Sequence, residues 1–343
     1  MKRTLILLLV TVALLAVAYF VFINDPGKAA PLVTADFAIE DTSAVGRVEL
    51  SDAEGKLAVI ERGKGEVWMV NGKFPARVDA INLVLKTLKL LEVKHPVSPG
   101  SRENVIRMMT GRHSYVKVFD RNGKFVKAYY VGIMTPDQQG TYMVLETKKG
   151  KSEIPYVMTM KTFYGFLTSR FFTDETDWRD LTLFRYPKLE FSRVEVKNNL
   201  FPERSFAINY GGENKLALME LNPERPASRF DTLQIKDYLI QYKKASCETY
   251  ALIMSQSEID SVLKLTPSFE MIITANQPEK STHLKLFLRP APQGQQEDDN
   301  TPAIYDREIL YGTINGKELF RAQRYIFDHF LPPVQLFTKE LEL

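Results

Sequence analysis

The stretch Tyr115-Val116-Lys117-Val118-Phe119-Asp120-Arg121-Asn122-Gly123-Lys124-Phe125-Val126-Lys127-Ala128-Tyr129-Tyr130-Val131 decides the fold. Two runs of β-branched and aromatic residues flank Asn-Gly, which accepts positive φ at little steric cost and suits a tight hairpin turn. Asn-Gly-Lys recurs at Asn71-Gly72-Lys73 and Asn315-Gly316-Lys317, so the same reading extends to both ends of the chain. Upstream, Val45 to Leu50, Leu57 to Ile60 and Val67 to Val70 read as a meander that leads into this hairpin.

Helices fill the gaps between these strands. Val78, Ile81, Leu85 and Leu88 recur at steps of three and four and predict one apolar helical stripe over residues 76–91, with Pro75 in the first turn and Pro96 beyond the end. Further helices are expected over residues 230–244, from Ser255, where Glu258 completes capping-box spacing, over the aromatic-rich residues 159–170, and over 318–330. Residues 290–302, PAPQGQQEDDNTP, cannot bury apolar area and read as a flexible loop between two strands.

The chain echoes itself. Arg47-Val48-Glu49-Leu50 resembles Arg193-Val194-Glu195-Val196, and Arg77-Val78-Asp79 is echoed by Arg229-Phe230-Asp231, each at the head of an expected helix. The fold class is therefore α+β, with two tandem, duplicated units of antiparallel sheet plus helix, at residues 37–173 and 187–343 and joined by 174–186. At each helix start the carboxylate is expected to complement the helix dipole and the arginine to pair with a strand-borne acid.

Thr4 to Ile23 is an uncharged apolar run of 20 residues preceded by Lys2 and Arg3. At about 1.5 Å per residue it is just long enough to cross a hydrocarbon core of about 30 Å. The flanking positive charges keep the short end in the cytoplasm, which predicts a single-pass anchor at 1–23, a linker at 24–36, and the remainder in the periplasm on the bacterial inner membrane. Cleavage after Ala16-Val17-Ala18 is the competing reading, although it would leave apolar Tyr19 to Ile23 as the new N-terminus. The formal charge of +3 falls to +1 without Lys2 and Arg3, too balanced for a surface that tracks phosphates, so nucleic acid is not expected as a partner.

Motifs for chemistry are scarce. His95, His113, His283 and His329 stand apart from one another, Cys247 has no neighbouring base, and neither a Gly-x-Ser-x-Gly elbow nor a phosphate loop occurs. Asp174, Glu175 and Asp177 read as a solvated helix cap in preference to a calcium loop. No catalytic residue, metal or cofactor is expected. Trp68 is read as core, Trp178 as interface or core in equal measure, and the aromatics Phe163, Tyr164, Phe166, Phe171 and Phe172 as a candidate partner surface.

Two groups of these residues resemble a known family. Val67-Trp68-Met69-Val70, then Pro75-Ala76-Arg77-Val78-Asp79-Ala80 and Leu83 to Leu88, is similar to the signature of the domain-of-unknown-function 4340 family. Gly132, Gly140-Thr141-Tyr142 and Trp178-Arg179-Asp180 match its second feature. The resemblance implies structural roles for Trp68, Pro75, Arg77, Asp79, Gly132, Tyr142, Trp178, Arg179 and Asp180, with Arg229 and Asp231 as repeat counterparts. It also implies an envelope protein of the kind found alongside gliding-type ABC export systems, with no established catalytic activity; the expectation is therefore a non-enzymatic accessory or scaffold with protein partners, among them an ABC permease and its ATPase. A periplasmic module binding a small molecule or glycan is the alternative, and a hydrolase built from scattered Asp, Glu and His is a third.

Overall fold

A computed structural model describes residues 36–212, 215–250 and 252–338. The expected anchor, and all of the linker except Asp36, lie outside the described residues. Among the described residues no helix is long and apolar enough to cross a membrane. The chain is α+β, with mostly antiparallel sheet and few helices, and it divides into two compact units. The first comprises residues up to Arg62 and Ile81–Thr173; the second comprises Gly63–Ala80 and the chain from Asp174 onward. The segment 63–80 thus counts with the second unit, and the expected join, 174–186, lies inside that unit as well.

In chain order the first half contains β1 Val45–Asp52, β2 Leu57–Arg62, β3 Trp68–Val70, β4 Phe74–Pro75, α1 Val78–Leu90, β5 Leu91–Pro96, α2 Pro99–Gly111, β6 Ser114–Asp120, β7 Phe125–Met134, β8 Thr141–Thr147, β9 Gly150–Lys151 and β10 Tyr156–Met160. Within the first unit the strands follow the order β2-β1-β6-β7-β8-β10-β5, with β9 beside β8. The second half contains α3 Glu175–Trp178, β11 Thr182–Phe184, β12 Phe191–Asn198, β13 Phe206–Tyr210, β14 Leu216–Leu221, β15 Glu224–Pro226, α4 Thr232–Ile240, β16 Ala245–Ser246, α5 Gln256–Leu263, β17 Phe269–Ala275, β18 Thr282–Pro290, β19 Tyr305–Ile314, β20 Leu319–Gln323 and α6 Arg324–Phe327. Its main sheet runs β15-β14-β13-β12-β17-β18-β19-β20.

The two sheets share register as well as order. Val48 pairs with Ile60 and Val118, and Val194 pairs with Ile208 and Ile273. A bulge interrupts β1 against β6 between Val45 and Arg47, and another interrupts β12 against β17 between Phe191 and Arg193. The neighbouring hairpins also agree, with Ser114 opposite Val131 and Phe269 opposite Leu286. On both bulged strands the Arg and Glu two positions apart share a face and pair, Arg47 with Glu49 at 3.2 Å and Arg193 with Glu195 at 3.0 Å.

Side-chain packing follows from these pairings. Alternation along β1 buries Val45, Val48 and Leu50, and β6 answers with Val116 and Val118. The second unit has an aromatic core in which Phe206, Tyr238 and Phe337 pack together, as do Phe184, Tyr242 and Phe330. The buried Tyr238 hydroxyl lies 2.5 Å from that of Tyr242 and donates to the Phe330 carbonyl at 2.9 Å, so burial leaves no phenol without a partner there.

Several expectations change. The stripe of α1 consists of Ala80, Ile81, Val84 and Leu88, whereas Val78 is 72% exposed. At Asn122-Gly123 only the glycine has positive φ; both residues do at Asn71-Gly72 and Asn315-Gly316. Asp120 explains the difference, because its Oδ1 accepts from the backbone N–H groups of Asn122 and Lys124 at 2.9 and 2.8 Å and builds a longer, bulged turn. Residues 159–170 are not a helix. Thr159 and Met160 belong to β10, and positive φ at Thr162 (61°) and Gly165 (136°) breaks the helical run, leaving one 3₁₀ turn at Thr168–Arg170. Residues 318–330 begin as strand β20. Phe320 lies opposite Gly312, where a Cβ would meet the Phe320 ring at 2.5 Å, so the glycine makes room for the aromatic. The helix α2 was not expected at all.

The bulge at Gly46 is tight in a way that its counterpart Ser192 is not. A Cβ at Gly46 would lie 2.6 Å from the Arg121 Cα and from the Asp120 carbonyl, both backbone atoms. Gly46→Ala is therefore expected to destabilise the first unit by about 1–3 kcal/mol, as overpacking does. Ser192→Ala, at an exposed site, is expected to stay within about 0.5 kcal/mol. Urea unfolding of the two variants beside the parent chain checks the contrast.

Candidate functional site

The residues singled out by sequence fall into three places. The first is a clasp inside the second unit, built where segment 63–80 meets residues 174–180. The backbone N–H of Arg77 donates to the Trp178 carbonyl and that of Asp180 to the Pro75 carbonyl, both at 2.8 Å, so Ala76 and Arg179 face each other as an antiparallel bridge. Trp178 is fully buried, which settles its reading as core, while Trp68 is half-buried. Arg179, 7% exposed, lies with its guanidinium 3.6 Å from the centre of the Phe74 ring and 4.2 Å from that of Tyr250. Its fork pairs with the Glu318 carboxylate. A buried guanidinium stacked on rings and matched to a carboxylate has most of its desolvation offset.

The clasp is finished by local caps. Asp180 accepts from Thr182 N–H at 3.0 Å and from its hydroxyl at 2.8 Å. Asp174 caps α3 through Thr176, so the acidic knot is the helix cap that was expected, and Asn71 donates to Glu175. The two Arg-x-Asp echoes do different work. Arg77 grips its own Asp79 with two bonds, at 2.6 and 3.2 Å, and donates to the Asp177 carbonyl at 3.4 Å; among the described residues it does not pair with a strand acid. Asp231 instead caps α4 by accepting from Leu233 and Gln234, and Arg229 is exposed.

The second place is residues 163–172 of the first unit, tied down by Leu167 N–H to Thr141 Oγ1 at 2.7 Å and by the Thr168 hydroxyl to the Gly132 carbonyl at 3.0 Å. Phe171 is buried and belongs to the core, a correction to its reading as partner surface. Tyr164 is 91% exposed, Phe163 lies under the Arg170 guanidinium at 4.2 Å, and Phe166 and Phe172 are half-buried.

The third place was missed from sequence. Between α2 and the β7–β8 face lies an open cleft of about 400 Å³, lined by Ile106, Met109, Tyr130 and Val144 with His113 and Lys151. Gly132 makes room for α2, since a Cβ there would lie 2.6 Å from Met109 Cγ, and Tyr142 packs on the same Val97–Val105–Met109 cluster. Tyr130 stacks on Tyr115 at 4.5 Å, and the Tyr115 hydroxyl donates to Glu146 at 3.0 Å. Burial, and then the hydrogen bond to Glu146, push the Tyr115 phenol up, so it stays protonated as a donor. The available signal was Pro99 at a helix start after Ser98, with Val105 and Met109 four apart, a pattern too sparse to predict a helix.

Three of the four histidines, His95 among them, are hydrogen-bonded within the described residues. His113 bonds the Met109 carbonyl at 2.9 Å and His283 bonds Glu270 at 2.8 Å. Burial pushes the Cys247 thiol up to about 12, keeping it protonated and inert. Among the described residues no group of His, Cys, Asp and Glu could hold a metal ion. No family model, curated protein or solved structure matches the chain, so the resemblance stated above stands on its quoted residues alone.

Two predictions follow from the clasp and the carboxylates. Arg179→Ala and Arg179→Lys are both expected to destabilise the second unit, by about 2–3 kcal/mol for the alanine, because lysine cannot reproduce a stacked fork. Chemical denaturation followed by tyrosine and tryptophan fluorescence reads this. Asp52 and Asp79 lie below the ordinary carboxylate range, through the Thr173 hydroxyl and the Arg77 guanidinium respectively. A depressed carboxylate contributes stability above its unfolded pKa, near about 4, and loses it as pH falls through the lower folded value. The unfolding midpoint should accordingly be flat from neutral pH to about 5 and fall below about 4. Asp52→Asn should make that fall shallower.

Proposed function

We propose that this chain is a non-enzymatic, membrane-anchored accessory or scaffold protein of the bacterial envelope, held by Thr4–Ile23 with both units in the periplasm, and that it serves an ABC-type export system of the gliding kind. The observation that carries the non-catalytic part is the use to which the motif residues are put. Trp178, Arg179, Asp180, Arg77 and Asp79 are consumed in closing their own unit, through backbone bridges, stacked rings and caps. A hydrolase would want a carboxylate held up in a cleft. Among the described carboxylates with displaced pKa values, namely Asp41, Asp52, Asp79, Asp137, Glu258, Glu270 and Asp299, every one is moved down.

The near balance of charge favours protein over nucleic acid as partner. Tyr164 offers an exposed aromatic anchor of the type that dominates interfaces. The choice of an export system rests on the family resemblance. We also infer that the two units descend from one ancestral unit by duplication; common strand order, matched register and a bulge at corresponding positions support this.

Purification of the full chain from its own membranes in mild detergent, with mass spectrometry of what co-elutes, tests the proposal. Stoichiometric recovery of a permease and its ATPase is expected, and deletion of residues 1–23 should abolish membrane sedimentation. A chain that elutes alone even after cross-linking in intact cells overturns the accessory role. A second reading, a small-ligand binding module, is favoured by the cleft on the first unit.

A further inference from the structure

We propose that the cleft between α2 and the β7–β8 face binds an anionic amphiphile, a molecule with an acyl-like apolar body and an acidic head. The inference deepens the small-ligand reading and rests on it; it is independent of the export system.

The walls define the apolar half. Met109, Val144 and the Tyr130 ring line the cleft, and Ile106 on the rim is 43% exposed. Apolar surface arranged as a concavity gains by taking up an apolar group. The wall is rigid before anything binds, because Tyr130 is stacked on Tyr115, Tyr115 is held by Glu146, and α2 is seated on Gly132. Little ordering cost then falls on binding.

The other half is positive. Lys151 and Ser152 line this cleft and also an adjoining one of about 700 Å³, where Lys124, Lys148 and Lys149 stand. Lys151 marks the boundary, its ammonium 3.6 Å from the centre of the Tyr130 ring. Lys127 is already engaged by Asp36, at 2.9 Å to the carboxylate. The acids of the two clefts are Asp36, Asp120 and Glu153, and Asp120 is occupied by backbone N–H groups of its own turn. An apolar ligand alone would leave the lysines unused, and a phosphate alone would find no donor on the hydrocarbon walls. A ligand with both parts satisfies both.

The comparable cleft of the second unit argues by contrast. It is larger, about 820 Å³, but two of its three arginines are ion-paired, Arg307 with Asp298 at 2.7 Å and Arg324 with Asp328 at 3.6 Å, while Arg204 lies over the Phe201 ring at 4.6 Å.

The test uses the full chain in its own membranes, irradiated with a fatty acid that carries a diazirine at the methyl end, and mass spectrometry of the labelled peptides. Saturable labelling within 106–109 and 144 is expected, at least about tenfold weaker for the uncharged fatty alcohol. Lys151→Glu should lower labelling about tenfold, and Ile106→Trp, which fills the cleft from an exposed position, should abolish it with the melting temperature unchanged. Labelling confined to residues 1–35, equal labelling by acid and alcohol, or indifference to both substitutions overturns the proposal. So does recovery of a bound peptide in place of lipid from the purified chain. Labelling of residues 4–23 reports separately on the anchor, so failure of the cleft and failure of the membrane reading are distinguishable.

Discussion

The stacked guanidinium of Arg179 is the interaction on which the second unit depends. Residues 63–80 reach that unit from a distant part of the chain; Val70, Ala76 and Ala80 are buried, whereas Val67 and Val78 are largely exposed. A short antiparallel bridge around Ala76 and Arg179 ties them to residues 174–180, where Trp178 is buried and the Arg179 guanidinium is closed by Phe74, Tyr250 and Glu318. Backbone bonds alone contribute little net stability, roughly 1 kcal/mol each, whereas a buried charge that lost its partners would cost several. The charge therefore enforces the geometry that the bridge describes.

The resemblance between the units sharpens what differs between them. Strand order, register and bulge agree, yet at the helix starts Arg77 and Asp79 grip each other while Asp231 caps its helix. The first unit has Gly46 in its bulge where the second has Ser192, and a lysine-rich cleft where the second has one lined by Arg204, Arg307 and Arg324, the last two ion-paired. Under the proposed duplication, packing positions were kept while surface chemistry moved apart.

Sheet-forming segments were legible because their signals are local. The alternation of Val116 and Val118 against Lys117, the Asn-Gly turns and the Ser255–Glu258 box each encode structure within a few residues. What failed depended on distant partners. Leu319–Gln323 reads as helical until Gly312 is seen to leave room for Phe320, and residues 159–170 read as an aromatic helix until Thr159 and Met160 are paired with β5. The site was hardest to see. Tyr130, Lys151 and Ile106 have no motif in common, and α2 carries so few apolar residues that only its tertiary seat identifies it. Pro75 to Asp79 and Trp178 to Asp180 were recognised as motifs, but a hundred residues hid that they touch.

The ownership of residues 63–80 by the second unit has a consequence for biosynthesis. That segment leaves the ribosome roughly a hundred residues before Trp178 and Arg179 exist, which at about 5–20 residues per second is a wait of roughly 5–20 s. During that interval the first unit is itself incomplete, since it needs the chain as far as Thr173, and the Trp68-bearing strand and Pro75–Arg77 wait for their partners at 178–180. The clasp is thus a late event in synthesis: until residue 180 arrives, the Arg77 N–H and the Pro75 carbonyl must be satisfied by water.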